Sequence, residues 1–278
     1  MTLVSKTFEL YGKTYTFESG ELAKQATGAC LVKQGDTTML DTVVVSKERK
    51  NYDFFPLTVD FNEKMYAAGR IPGGYLKREG RPSEKATLTA RMIDRPIRPS
   101  FPDGFRNEVH IVATSLVADQ VNPFDVINVM GASLAMTLGG VPFEGPLACV
   151  RIGRNVETGE FIVNPTYEER ENSDLDLELG GSADFISMVD GRRRGDLRGR
   201  HARRHEVWPG GPCCLSARLR TSFVVEWEQA NGAIVKKEYP LDQPVQGGPG
   251  AHLRPLRRDG SRPSRRRQCS PVSARSRL

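Results

Sequence analysis

The sequence predicts an α+β fold of mostly antiparallel strands with two principal helices. Three observations predict it. Short alternating or apolar runs are broken by glycine-containing turns as far as residue 190. Successive runs sit close enough to pair as hairpins. Only two long segments carry helix start and stop signals.

Phe8 and Leu10, then Tyr15 and Phe17, alternate about the turn Tyr11-Gly12-Lys13, which predicts a hairpin over 8–17. Residues 28–46 form a second hairpin about Gln34-Gly35-Asp36, and Val43 to Val45 reads as a strand buried on both faces. Leu57 to Phe61 is a further strand. Ser83 is an N-cap with Glu84 in the first turn, and the helix it opens is expected to stop before Pro96. Val109 to Val117 is a strand. Asn122 is expected to cap the second helix, with Pro123 at its first position. Val126, Ile127, Met130, Leu134 and Leu138 follow at helical spacing, and Gly139-Gly140 ends the helix. Strands then follow at Leu147 to Ile152 and Phe161 to Val163, about a Glu157-Thr158-Gly159 turn, with a short helix after Pro165. Leu175 to Leu179 and Phe185 to Val189, split by Gly180-Gly181, close the series.

The 278 residues suffice for one large domain or two ordinary ones. No run of about 18 apolar residues predicts a membrane span. The N-terminus has neither the apolar core nor the cleavage site of a signal peptide. Cysteines at 30, 149, 213, 214 and 269 show no CxxC spacing, so a reducing, cytoplasmic setting is expected.

The net charge of +6 is an average of unlike parts. Residues 191–220 hold nine Arg against Asp196 and Glu206, and residues 246–278 hold nine Arg against Asp259. These blocks contribute +15, leaving −9 for the rest. Both lack Lys and show no period longer than a few residues. An arginine-rich RNA-binding segment, a solvated linker and translation in a wrong reading frame all produce such composition. The abrupt end of strand pattern at Asp190 and the return of an amphipathic piece at 221–245 favour the third. Both blocks are therefore expected to be irregular.

The segment from Gly69 to Ser83 carries the functional signal. Four glycines among its first twelve residues, with prolines at 72 and 82, make it a loop. Tyr75 and Leu76 precede Lys77 and Arg78, with Arg81 just behind. A ring that stacks on a base beside cations that neutralise phosphate suits sequence-independent binding of single-stranded nucleic acid. A basic helix follows, with Arg91 and Arg95 on one face, Arg98 beyond, and Asp94, adjacent to Arg95, placed to orient one guanidinium; a solvated face with an internal Asp–Arg pair is the alternative.

Other candidates read as structural. Asp174 and Asp176 alternate in a strand as solvent-facing residues rather than metal ligands. His110 flanks a strand, and Ser115 and Ser133 lack a neighbouring base pattern. Cys30 and Cys149 lie in apolar runs and read as core. No convincing catalytic set emerges.

Tyr52-Asp-Phe-Phe-Pro-Leu-Thr-Val, Tyr66-Ala-Ala-Gly-Arg-Ile-Pro-Gly-Gly, Lys77-Arg-Glu-Gly-Arg-Pro-Ser-Glu, Ala90-Arg-Met-Ile-Asp-Arg-Pro-Ile-Arg-Pro and Asn107-Glu-Val together resemble the polynucleotide phosphorylase (polyribonucleotide nucleotidyltransferase) family. The similarity covers residues 3–190, with a remnant at 221–245 between the irregular segments 191–220 and 246–278. It is to the first of that enzyme's two RNase PH-like cores, a ribosomal protein S5 domain 2-like fold. The resemblance implies a cytoplasmic homotrimer that degrades single-stranded RNA from its 3′ end in mRNA turnover. Inorganic phosphate attacks the terminal phosphodiester and releases nucleoside diphosphates, with Mg²⁺ assisting. It also implies that the metal-binding aspartates and phosphate-binding serines belong to the second core. This chain is then expected to be a truncated member with no catalytic or metal-binding residue and no cofactor of its own. The resemblance further implies RNA contacts at Tyr75, Leu76, Lys77 and Arg78, where the family has two aromatics before two basic residues and Leu76 replaces the second ring. Arg81, Arg91, Arg95 and Arg98 match family arginines in or near the RNA path. A non-catalytic RNA-binding module and a stand-alone RNase PH-type exoribonuclease are the alternatives.

Overall fold

The computed structural model describes residues 2–49, 52–75, 78, 80–182, 186–193 and 219–241. Strands β1 (Val4–Leu10) and β2 (Lys13–Ser19) meet at Tyr11 and Gly12. Their φ values of 55° and 70° match the twist that a two-residue hairpin requires. Strands β3 (Gly28–Gln34) and β4 (Thr37–Arg49) turn at Gly35-Asp36. Strand β5 (Leu57–Asn62) leads through a single 3-10 turn, Met65–Ala68, to the glycine-rich loop and then to α1 (Glu84–Ile97). Next come β6 (Asn107–Val117), α2 (Asp125–Leu138), β7 (Ala148–Asn155), β8 (Phe161–Val163), α3 (Tyr167–Glu171), β9 (Ser173–Gly181) and β10 (Ile186–Arg193). A helical turn at Leu219–Val224 runs into α4 (Val225–Asn231).

Six strands form one sheet in the order β1-β2-β3-β4-β6-β5, and four form a second in the order β10-β9-β7-β8. All neighbours are antiparallel except β5 and β6. Parallel neighbours cannot be joined by a tight turn, so the chain crosses over between them. That crossover is the loop plus α1, which fixes the loop at the carboxyl end of β5.

Helix α2 lies between the sheets, against β3 and β4 on one side and β7 on the other. It is therefore buried almost all round, as a helix apolar on every side must be. Gly131 makes the close approach possible: a Cβ there would land on Asp41 Oδ2 and sit 2.7 Å from Val32 Cγ2. The chain from 219 to 241 packs on the same core. Phe223 is buried and its ring lies 6.1 Å from that of Phe17. Lys237 N–H donates to Gly140 O at 2.8 Å, and Tyr239 meets Phe105 edge-on at 5.3 Å.

Four expectations need correction. Helix α1 does not stop before Pro96; it runs to Ile97 and continues as a 3-10 turn, Arg98–Ser100. A proline in the last turn forfeits one hydrogen bond. In return Pro96 is buried beside Gly180 of β9, and its carbonyl accepts from Ser100 Oγ at 3.3 Å. Helix α2 begins at Asp125 rather than at Pro123. Asp119 claims the preceding residues for a turn, accepting from the N–H groups of Val121 and Asn122, both at 2.8 Å, and from Asn122 Nδ2 at 2.6 Å. Val43 and Val45 point inward but Val44 is 51% exposed, because the outer face of this sheet region is uncovered. Strand β10 passes Asp190, with Gly191, Arg192 and Arg193 in register with Leu177, Asp176 and Leu175. Backbone pairing does not depend on apolar side chains there. Leu219 and Arg220, the last residues of the first block, likewise begin a helical turn, and the remainder of the two blocks, 194–218 and 246–278, lies outside the described residues.

Candidate nucleic-acid interface

Gly69, at φ 66°, ends the 3-10 turn by donating to Tyr66 O at 2.9 Å, and the loop departs from it. Tyr75 is 76% exposed near the loop's tip, and Arg78, whose N–H donates to Tyr75 O at 3.1 Å, is exposed beside it. Leu76 and Lys77 lie outside the described residues. The loop returns through Arg81 to Ser83, whose hydroxyl accepts from Ala86 N–H at 3.0 Å and caps α1.

Between loop, β5 end and helix starts lies an open cleft of about 900 Å³. Among the described residues Lys64, Arg70, Arg78, Arg81 and Lys85 line it, against one acid, Glu63. Aromatic rings of Phe61, Tyr66, Phe124 and Tyr167 complete the wall. Lys85 Nζ stands 4.7 Å over the Phe124 ring and 5.3 Å over the Tyr167 ring, and donates to Tyr167 Oη at 3.4 Å. Among the described residues, no carboxylate pairs with the side chains of Lys64, Arg70, Arg78, Arg81 or Arg91. Unpaired cations can meet an incoming phosphate directly, whereas paired ones must first give up a partner.

The helix arginines divide by that criterion. Arg91 is exposed and unpaired among the described residues. Arg95 is paired with Asp190 of β10. Arg98 is a strut: Nε and Nη2 hold Asp94 at 3.1 and 2.6 Å, while Nη1 and Nη2 donate to Phe55 O and Leu57 O, each at 3.2 Å. Its guanidinium also lies 5.8 Å from the Phe55 ring centre. The guanidinium that Asp94 orients is that of Arg98, because residues four apart share a helix face and adjacent ones do not.

The acidic residues are committed elsewhere. Arg151, 5% exposed, is held by Asp125, Asp176 and Glu178, Arg154 by Asp174, and Arg170 by Asp125 and Asp176. Among the described residues no group of three or more His, Cys, Asp or Glu could hold a metal ion. His110 pairs with Asp60 at 2.7 Å on the exposed sheet face. Cys30 and Cys149 are fully buried, and burial pushes both thiols up, Cys149 to about 12. Asp41 is 0% exposed in β4 beside Gly131, and burial holds its carboxyl well above the usual range.

Sequence reading missed Lys64, Tyr66, Lys85 and Tyr167. Lys64 and Tyr66 stand within six residues of Arg70 and extend the loop's own ring-and-cation pattern. Tyr167 is 82 residues from Lys85, and no local signal joins them.

Residues 12–142 match the family model described as 3′ exoribonuclease family, domain 1. A polyribonucleotide nucleotidyltransferase of Oceanobacillus iheyensis is 52% identical over 182 residues, covering 66% of this chain and 26% of that protein. The enzyme of the same name from Exiguobacterium sibiricum is 52% identical over 192 residues, covering 68% and 26%. The chain thus spans about a quarter of the length of the curated relatives it matches. Among solved structures, an Archaeoglobus fulgidus exosome with RNA bound to the active site aligns with a TM-score of 0.58 at 17% identity, covering 78% of this chain and 89% of that one. Rice Rrp46 aligns with a TM-score of 0.57 at 12% identity, covering 80% and 94%. These two likenesses establish the fold, an RNase PH-like α+β core. The match to domain 1 of the 3′ exoribonuclease family and the 52% identity over two thirds of this chain make it similar to the RNase PH-like part of the bacterial polyribonucleotide nucleotidyltransferases.

Proposed function

We propose that this chain is the RNA-holding core of an enzyme that degrades RNA phosphorolytically from the 3′ end. The observation that carries this is the group of cations, unpaired among the described residues, beside exposed Tyr75, on a core similar to that of the bacterial enzymes. Tyr75 supplies a stacking face that does not discriminate among bases, and Arg78, Arg81 and Arg91 supply phosphate neutralisation. Leu76 and Lys77 belong to the same proposed contact. Arg95 and Arg98, already engaged within the fold, hold α1 to β10 and to the start of β5.

In the complete enzyme, inorganic phosphate attacks the terminal phosphodiester and a nucleoside diphosphate leaves; the enzyme works as a cytoplasmic homotrimer. Magnesium does not fit the described residues of this chain, because the acids of its one dense cluster are neutralised by Arg151, Arg154 and Arg170. The metal and the reacting phosphate belong instead to a second core. The purified chain should bind poly(A) yet release no nucleoside diphosphate from it when phosphate is added. Phosphate-dependent release at the rate of a two-core enzyme would overturn this division of labour.

A further inference from the structure

We infer that the cleft behind the loop is a second RNA contact, a pocket that receives one nucleotide of the strand held by the Tyr75 surface. The inference rests on the RNA-binding reading above and adds a site to it. Three features of the cleft converge. Its volume of about 900 Å³ lies near the top of the range, roughly 300–1,000 Å³, that encloses small organic ligands, so a base and its phosphate fit. Tyr66, 58% exposed on its wall, offers a ring face to a base. Lys64 and Arg81 line the same space without acidic partners among the described residues.

A fourth feature sets the sign of the ligand. The capped start of α1, at Ser83, forms part of the wall, and the start of a 14-residue helix favours negative charge. Lys85 stands in that first turn with its ammonium over two rings and 4.0 Å from Glu63 Oε1, an exposed pair that holds its charge at the cleft wall. The ligand is a strand rather than a free nucleotide because Arg78 and Arg81 belong both to the cleft and to the loop. A backbone that follows them runs from the Tyr75 tip into the pocket.

The test uses the full chain and a fluorescent oligo(A). Lys64→Glu and Tyr66→Ala change exposed side chains and should fold normally, which circular dichroism checks. Each should weaken oligo(A) binding about tenfold, the loss of one stacking or charge contact of about 1.4 kcal/mol. A 4-thiouridine-substituted strand should crosslink to Tyr66 or Tyr167, located by mass spectrometry. Adenosine monophosphate should compete only at far higher concentration than the strand; equal potency would overturn the strand assignment. Unchanged affinity in both variants, with Arg91→Ala still weakening binding, would overturn the pocket and leave the RNA-binding reading intact. If the unaltered chain bound no oligo(A), both would fall.

Discussion

Replacing Arg98 by alanine separates a strut from an RNA ligand. The guanidinium makes four hydrogen bonds, two to Asp94 and one each to the carbonyls of Phe55 and Leu57. Its side chain is 42% exposed and that of Asp94 25%, so solvent weakens the ion pair. An i,i+4 pair of this kind contributes about 0.3–0.5 kcal/mol. Each carbonyl bond contributes about 0.5–1 kcal/mol net, since water can replace the lost donor. Lost packing on Phe55 adds to this. The expected cost is about 2 kcal/mol, read as a lower urea midpoint at unchanged slope. Arg98→Lys should recover only part of it, because an ammonium cannot span carboxylate and carbonyls with one planar fork. Oligo(A) binding by the folded variant should keep the salt dependence of the parent chain. Undiminished stability together with a salt slope shallower by about 0.7 would show that Arg98 holds phosphate instead.

Two further perturbations probe the packing that sets the loop in place. Asp41→Asn should stabilise the chain at neutral pH. The folded state keeps the Asp41 proton while the unfolded chain releases it above its ordinary value of 3.8, so the native carboxyl costs stability increasingly as pH rises. The advantage of the Asn variant should therefore vanish as pH falls towards that value; thermal melts across pH read it, and a difference constant with pH would count against a protonated Asp41. Gly131→Ala should destabilise by about 1–3 kcal/mol, since the new methyl group collides with Asp41 and Val32. That outweighs the gain of about 1 kcal/mol in helix propensity. A variant as stable as the parent in urea would mean that α2 can move off the sheet freely.

The hairpin at Tyr11-Gly12 and the buried helix over Val126 to Leu138 were legible because their signals are local: a turn that tolerates positive φ, and apolar residues at helical spacing. The loop was legible for the same reason. What escaped depends on distance in sequence. Arg98 looks like a free basic residue until the fold brings Phe55 O and Leu57 O to it from 43 and 41 positions away. Arg95 shows no partner in the local sequence until β10 delivers Asp190. Asp41 has the look of an ordinary polar residue in a strand, and only the close passage of Gly131 shows it to be sealed. The cleft itself has walls from β5, α1, the start of α2 and Tyr167, which no local window contains.

The most direct measurement of the central claim is the salt dependence of oligo(A) affinity for the full chain and for its Arg78→Ala/Arg81→Ala form, by fluorescence anisotropy between about 50 and 200 mM salt. Among the described residues four unpaired cations line the cleft, Lys64, Arg70, Arg78 and Arg81; these alone imply a log–log slope of about −3 or steeper, and losing two should make it shallower by about 1.4. The same steep slope in both forms, or affinity indifferent to salt, would contradict an RNA path over this loop and cleft.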